Sequence, residues 1–329
     1  MPRRQKDESL LSPAVNLPEI IVVKNPLEPP KGLEGAVVAI GNFDGVHRGH
    51  SVVIRAAEAM AARLGRPCAV LTFEPHPADF FAGRPVIFRL TPEREKALAL
   101  GRLGVEAMFV LTFDQALATL EAEKFVAEVL VRRLKISGAV VGYDFHFGKG
   151  RAGSPDFLKQ AGQRHGFAVK VVEKVLADVA GSPEAVHSAA TRMALEAGNV
   201  NAARRLLGHD YFVTGEVIHG QKLGRELGYP TANLALDPSC RLLYGIYAVR
   251  VVVDGVVHKG VASFGRRPTV DNGPPLLEIY ILDFKGDLYG KELEVAFVGW
   301  IRPEEKFDGL EALVRQIDKD VDKARAMLA

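Results

Sequence analysis

Cysteine is scarce. The 329 residues hold two, Cys68 and Cys240, far apart and in no metal-ligand spacing. They read as small buried hydrophobes in a reducing compartment. Long apolar runs are missing as well, and none approaches the ~18 residues of a membrane span. The opening stretch, Met1 to Asp7, is charged and lacks the apolar core of a signal peptide. Charge of one sign is also lacking. The formal net charge is +2, which gives no global pull toward nucleic acid or a membrane surface. No internal repeat and no low-complexity segment is present. These absences together argue for a cytoplasmic protein that binds neither nucleic acid nor membrane.

What is present is material for two cores. The chain is too long for one typical domain, and 48% of it is hydrophobic. The first twenty or so residues, with Pro13 and Pro18 among them, read as a flexible lead-in. From Ala36 onward, buried-strand runs alternate with amphipathic helices. Strands are expected at Ala36–Ile40, Cys68–Phe73, Val105–Leu111, Ala139–Val141 and Phe167–Val172. Helices are expected after the first strand, from Thr91-Pro92, over Glu121–Leu134, and from Ser154-Pro155 to Gly166. That alternation predicts a parallel sheet covered on both faces, with ligands beyond the carboxyl ends of its strands. Three loops fall at such ends: Gly41–His50, Thr72–Pro77 and Gly142–Gly148.

The texture changes after Tyr211. A mainly helical segment between Gly181 and Gly208 leads into short strands at Phe212–His219, Ile246–Val253, Val256–Ser263, Leu276–Leu282 and Leu293–Val298. Asp254-Gly255 is a hairpin signal suited to a type I′ turn. Five or six short strands followed by a helix over Asp308–Leu328 predict a small antiparallel barrel with a helix packed on it. The expected division is a lead-in over 1–20, a first domain over 21–200 and a second over 201–329.

Gly41-Asn42-Phe43-Asp44-Gly45-Val46-His47-Arg48-Gly49-His50 reads as the turn from a buried strand into a helix. Glycines allow a sharp turn and close approach to a ligand. The helix start offers unpaired N–H groups and partial positive charge. His47 and His50, three apart, can point to one side, so the stretch is either a phosphate site or a glycine-rich turn with two surface imidazoles. The spacing is neither that of a dinucleotide-binding turn nor that of a P-loop. Thr72-Phe73-Glu74-Pro75-His76-Pro77 is either a rigid turn or a device that fixes His76. Gly142 to Arg151 carries Asp144, three aromatics and cations. It suits a flat ring with phosphates nearby, or else an aromatic-anchored loop.

These three motifs, in this order, resemble the adenylyltransferase module of bacterial bifunctional riboflavin kinase/FAD synthetases. The resemblance implies a nucleotidyltransferase that joins FMN and ATP to give FAD and pyrophosphate, the FMN phosphate attacking the α-phosphorus directly. It implies ATP contacts at Gly41, Phe43, Asp44, His47, His50, Asp144, Ser188 and Arg192. His47, His50 and Arg192 assist the transfer, and His76 and Pro77 lie on the flavin. Transfer of this kind needs positioning and charge neutralisation more than covalent help, with Mg²⁺ neutralising the rest. One element departs from the family, which usually carries Ser-Ser-Thr-x-Ile-Arg. Here the stretch is His187-Ser188-Ala189-Ala190-Thr191-Arg192. Loss of the hydroxyl at Ala189 costs about 1–3 kcal/mol if nothing replaces it, and Thr191 and His187 are the candidates to do so.

His219 to Asn233 is the densest motif, read either as a phosphate-covering loop or as a long connection ended by Pro230. Its Gly220, Lys222, Gly224 and Arg225 suit phosphates, and Thr231 and Asn233 are hard oxygen ligands of the kind Mg²⁺ selects beside phosphate. Glu278 sits inside the apolar run Leu276–Leu282, where a carboxylate is paired, functional, or simply outward-facing. With Arg267-Pro268-Thr269 and Leu288-Tyr289-Gly290, these stretches resemble riboflavin kinase. Tyr244 stands where a proline is more usual. The resemblance implies a six-stranded barrel that moves the γ-phosphate of ATP to riboflavin. Glu278 is then the general base, Thr231 and Asn233 the metal ligands, and Arg267, Pro268 and Arg302 the flavin contacts. Taken whole, the chain resembles a bifunctional enzyme acting on riboflavin, FMN and ATP, as a monomer or transient oligomer. The rival readings are a kinase with a weak or silent adenylyltransferase domain, and a flavin-binding regulator without catalysis.

Overall fold

A computed structural model describes residues 20–179, 182–219, 227–266 and 275–329. The lead-in over 1–19, the phosphate-loop residues Gly220, Lys222, Gly224 and Arg225, and the flavin contacts Arg267 and Pro268 lie outside the described residues. The chain forms two compact units. One holds 17–87 and 91–187, and the other holds 188–329 together with Phe88–Leu90.

In the first unit six strands form one sheet: β1 (Ile21–Lys24), β2 (Val37–Ile40), β3 (Cys68–Glu74), β4 (Ala107–Thr112), β5 (Gly138–Gly142) and β6 (Ala168–Val172). The order is β1-β4-β3-β2-β5-β6, and every neighbouring pair is parallel. β2 is buried at all four residues and β3 at its first six, because helices cover both faces, as a parallel sheet requires. The five expected strands are all there. β1 is additional, a four-residue edge strand that is mostly exposed. From β2 the chain moves one way along the sheet to β3 and β4, and later returns to β5 on β2's other side. That reversal is the switch point where open α/β sheets hold ligands.

The helix after β2, Arg48–Leu64, buries Val53, Ile54, Ala57 and Met60. Gly65 ends it in a left-handed cap, with Arg66 N donating to Ala61 O at 3.0 Å. The expected helix over Glu121–Leu134 is a short α-helical turn, Ala122–Lys124, that passes into a π-helix, Phe125–Arg133. Phe125, Val129, Leu130 and Leu134 are its buried face, as the spacing indicated. The helix expected from Thr91-Pro92 begins at Glu93 and runs to Gly101. Thr91 makes no cap there, because its amide and hydroxyl are turned to Asp44 and Gly45. The start of the segment expected to be helical is a two-stranded antiparallel hairpin, β7 (Leu176–Val179) with β8 (Ser182–Ala185).

The second unit is a closed barrel of β9 (Tyr211–Ile218), β10 (Thr231–Ala235), β11 (Gly245–Val253), β12 (Val256–Gly265), β13 (Leu276–Ile281) and β14 (Glu292–Arg302), in the order β10-β13-β12-β11-β14-β9. Closure leaves no unpaired edge. Ala232, Leu234, Tyr247, Phe264, Leu277 and Ile279 fill its core. Asp254 and Gly255 both take positive φ, 48° and 79°, as a type I′ hairpin between β11 and β12 demands. Helices Ser188–Glu196 and Val200–Leu207 belong to this unit, and Leu195, Val200, Ala203 and Leu207 join the barrel's core. The compact units divide between 187 and 188, and the expected domain division lies at 200. The last helix, Leu310–Met327, lies on the barrel's outer face through Val321, Ala324 and Leu328.

Candidate functional site

The turn after β2 is held from several sides. Gly41 N extends the ladder to Leu71 O at 3.1 Å, and Thr72 Oγ1 donates to Asn42 O at 3.1 Å. Phe43 and Val46 adopt φ of 49° and 42°, sparsely populated for side chains of that shape. Such conformations cost on the order of 1–3 kcal/mol each and persist where the surroundings fix them. The surroundings here are explicit. Phe43 and Val46 are buried, and Asp44 Oδ1 accepts from Thr91 N at 2.9 Å. Gly45 N donates to Thr91 Oγ1 at 2.7 Å. Asp44, assigned to ATP by resemblance, thus spends Oδ1 on bracing the turn.

His47 is the N-cap of Arg48–Leu64, its Nδ1 accepting from His50 N at 3.2 Å. In the neutral ring the proton then sits on Nε2, which becomes a donor for an anion. The His47 and His50 rings stack at 3.5 Å between centroids, 13° apart, and Phe43 meets His50 edge-on at 5.2 Å. Gly49 makes the stacking possible, because a Cβ there would lie 3.1 Å from the His47 ring. The half-buried His50 has its pKa pushed well below the ordinary 6.5, by burial first and then by His47 and Lys96. Its Nδ1 is buried with no hydrogen-bond partner in the protein. Two stacked imidazoles, with the pKa of His50 lowered, thus stand at a helix N-terminus beside the switch point, an arrangement that favours bound phosphate.

At the end of β3, His76 caps the helix Pro77–Ala82 by accepting from Ala78 N at 3.1 Å. Its Nε2 lies 3.4 Å from the side-chain amide of Asn42, so the first two motifs meet. Phe73, Phe80, Phe81 and Phe113 form an edge-to-face cluster next to it, with Phe81 71% exposed. An exposed aromatic cluster of this kind offers a face to a flat ring. At the end of β5, Phe145 and Phe147 are the anchors, stacking on each other and packing toward Phe125 and Phe157. Tyr143 and Asp144 stay exposed on the loop.

Sequence reasoning passed over Lys96 and the bracing role of Thr91. Lys96 is 4% exposed, with its ammonium 3.0 Å from Glu74 Oε1 and 3.4 Å from Thr72 Oγ1. The only signal was the motif's own Glu74, a carboxylate at the end of a buried strand that needs a partner. Ser188 and Arg192 belong to the barrel's unit, and Arg192 Nε donates to Phe88 O at 2.7 Å. Thr191 is fully buried with its hydroxyl unbonded, so it does not replace the oxygen lost at Ala189. His187 and Ala189 are exposed.

The barrel assembles its residues by register. Asn233 on β10 stands opposite Glu278 on β13, and Glu278 stands opposite Ser263 on β12. Alternation puts Ala232, Leu234, Leu277 and Ile279 inside, so Thr231, Asn233, Glu278 and Ser263 share the outer face. This settles why Glu278 sits in an apolar run: its neighbours point in and it points out. Arg302 is tied down elsewhere. It grips Asp320 with Nε at 2.9 Å and Nη2 at 2.8 Å, Gln316 braces the same carboxylate at 3.0 Å, and Phe307 lies under the guanidinium at 5.5 Å. The direct flavin contact expected of Arg302 therefore competes with a formed ion pair. Glu304 lies over Gly265 where a Cβ would stand, and partial burial followed by repulsion from Glu278 raises its pKa. Among the described residues no group of three His, Cys, Asp or Glu is arranged to hold a metal by itself. No described helix is long and apolar enough to cross a membrane.

A turn with two stacked imidazoles at a sheet's switch point and a carboxylate–amide pair on a closed barrel suit a two-unit nucleotide-dependent transferase. Two family models match, FAD synthetase over 30–182 and riboflavin kinase over 207–328. Among similar proteins are the bifunctional riboflavin kinase/FMN adenylyltransferases of Pseudomonas fluorescens (44% identical, covering 90% of this chain and 94% of that one) and Escherichia coli K12 (38%, 89% and 92%). A crystal structure of a macrolide-efflux protein from Streptococcus pneumoniae superposes with a TM-score of 0.79 at 31% identity, over 93% of this chain and 99% of that one. The chain belongs to the bifunctional riboflavin kinase/FMN adenylyltransferase family.

Proposed function

We propose that the barrel phosphorylates riboflavin and that the parallel-sheet unit adenylylates the FMN produced. The observation that carries this is the pairing of two unlike phosphate-ready sites in one chain. One is the stacked His47–His50 pair at a helix start, and the other is Asn233 facing Glu278 across the barrel.

In the barrel, Glu278 takes the proton of the ribityl 5′-hydroxyl as its oxygen attacks the γ-phosphorus of ATP. The bond to the β-phosphate oxygen breaks and ADP leaves. An alcohol needs such a base because its own pKa keeps it protonated. Thr231 and Asn233 would hold Mg²⁺ together with phosphate oxygens. Two neutral oxygen donors beside one carboxylate fit a metal that keeps phosphate and water as its other ligands. When bound, Mg²⁺ would offset the charge on the phosphates. Gly220, Lys222, Gly224 and Arg225 are assigned to cover those phosphates, and Arg267 and Pro268 to the flavin, by resemblance. Arg302 and Asp320 are given a different part, fixing the Phe307 segment at the end of β14.

In the first unit, an FMN phosphate oxygen attacks the α-phosphorus of ATP and pyrophosphate leaves. His47, donating from Nε2, and His50 hold the triphosphate. Gly41 and Phe43 shape the turn and Asp44 braces it. Asp144, exposed at the end of β5, takes the adenosine. His76 and Pro77, with the aromatic cluster beside them, take the flavin. Ser188 and Arg192 are assigned to phosphate by resemblance alone. Both cysteines are free, and burial pushes their thiols up, Cys68 to about 12 and Cys240 to about 11. Unpaired, unreactive thiols support a cytoplasmic enzyme, acting as a monomer or transient oligomer.

A chromatographic time course with riboflavin, ATP and Mg²⁺ tests the reading. FMN should appear first and then convert to FAD. FMN without FAD, even from FMN and ATP supplied directly, would leave a kinase with a silent first unit. No FMN would remove the kinase assignment.

A further inference from the structure

The least explained charged group in the first unit is Lys96. It comes from the charged first half of the helix Glu93–Gly101, yet its side chain is 5% exposed. A buried ammonium is costly unless paired, and a buried ion pair is often no more stabilising than apolar residues of the same shape. Its burial as an ion pair therefore points to placement or charge rather than to stability. The ammonium reaches two points at once. It pairs with Glu74 Oε1 at 3.0 Å, directly before the Pro75-His76-Pro77 turn. It also donates to Thr72 Oγ1 at 3.4 Å, and Thr72 Oγ1 donates on to Asn42 O at 3.1 Å. Asn42 lies in the turn that ends in His47 and His50, and its side chain meets the His76 ring at 3.4 Å. One buried cation thus lies beneath both stretches that face the reactants.

We propose that Lys96 is a positioning residue for adenylyl transfer, fixing the separation between the Gly41–His50 turn and the Glu74–Pro77 turn through Thr72 and Glu74. This rests on the first unit being the adenylyltransferase. Lys96 touches neither reactant. It sets how far the imidazoles that hold ATP stand from the turn that holds the flavin. Misplacement by about 1 Å at a reacting centre costs on the order of a hundredfold in rate, so a shift of a few tenths is expected to cost about tenfold. The ammonium is also one of the charges that keep His50 unprotonated, alongside His47 on the same turn, with Glu74 on β3 and Asp44 in the turn as the carboxylates of the neighbourhood.

The test uses the full chain and two variants, Lys96→Met and the paired Lys96→Met/Glu74→Gln, which leaves no buried charge behind. FAD formation from FMN and ATP is followed beside riboflavin phosphorylation in the same sample, and wild-type protein runs alongside. The expected result is a fall in kcat for FAD formation of about tenfold or more in both variants, with KM for ATP changed less than threefold and phosphorylation unchanged. In Lys96→Met the acid limb of the FAD-forming rate also moves to higher pH, because a cation that disfavours protonated His50 is gone. A purely structural lysine would lower the amount of folded unit without moving that limb. If Lys96→Met does not fold, the paired variant decides. Wild-type kcat in either folded variant overturns the proposal. Wild-type protein that makes no FAD from FMN would instead remove the adenylyltransferase reading on which it stands.

Discussion

The two units meet the same problem, holding a polyphosphate beside a flavin, by different means. The sheet unit uses backbone. A turn with two left-handed non-glycine residues is clamped by Asp44, Thr91 and Thr72, which fixes a helix start and two stacked imidazoles, the proposed phosphate site. The barrel uses register. Its polar residues fall opposite one another on β10, β13 and β12 because antiparallel pairing puts them there. A site built on a turn depends on what braces it. A site built on register depends on the strands and tolerates change between them. The two should therefore fail separately and for different reasons.

The largest expected effect is in the barrel. Glu278→Gln removes the base and should lower riboflavin phosphorylation by about 10²–10⁴-fold. FAD formation from supplied FMN should stay at the wild-type rate. Next, His50→Ala should lower FAD formation by about 10²–10³-fold and leave phosphorylation alone, the size expected for one preorganised donor at a site of developing charge. A smaller effect tests the bracing directly. Gly49→Ala puts a Cβ 3.1 Å from the His47 ring, so the stacked pair must shift, and FAD formation should fall about tenfold with little change in melting temperature. The smallest concerns the misplaced hydroxyl. Thr191→Val removes a buried, unbonded oxygen at constant shape and should stabilise the barrel unit by about 1 kcal/mol, read from urea unfolding.

Stability should also separate the units by pH. The folded pKa of His50 is lowered from 6.5, so between the two values the unfolded chain binds more protons than the folded one. Stability of the first unit should therefore rise with pH across that window and fall as pH drops below 6.5. The comparison of wild type with His50→Gln in thermal melts checks this, because the variant lacks that slope.

How much was legible follows the same division. Buried runs such as Ala36–Ile40 and Cys68–Phe73 announce parallel strands because both faces are covered. β1 was not legible, being a short edge strand with little burial. β10 was hidden because it is only five residues long, and its alternating Thr231 and Asn233, the proposed metal ligands, leave it no continuous apolar run. Lys96 was invisible because its partner Glu74 is 22 positions away, on a different element. The ion pair of Arg302, assigned to the flavin by resemblance, was not legible either, because Asp320 lies 18 positions on and looks like one more charge on an amphipathic helix. Sequence patterns show which face of an element is buried. They do not show which distant charge a buried charge will find.

The most direct test of two separate sites is complementation in trans. Glu278→Gln and His50→Ala proteins, each unable to make FAD from riboflavin alone, are mixed with riboflavin, ATP and Mg²⁺. The account expects FAD to accumulate in the mixture, one protein supplying FMN and the other adenylylating it. No FAD from the mixture, while each protein keeps its own remaining activity, would contradict two independently working sites.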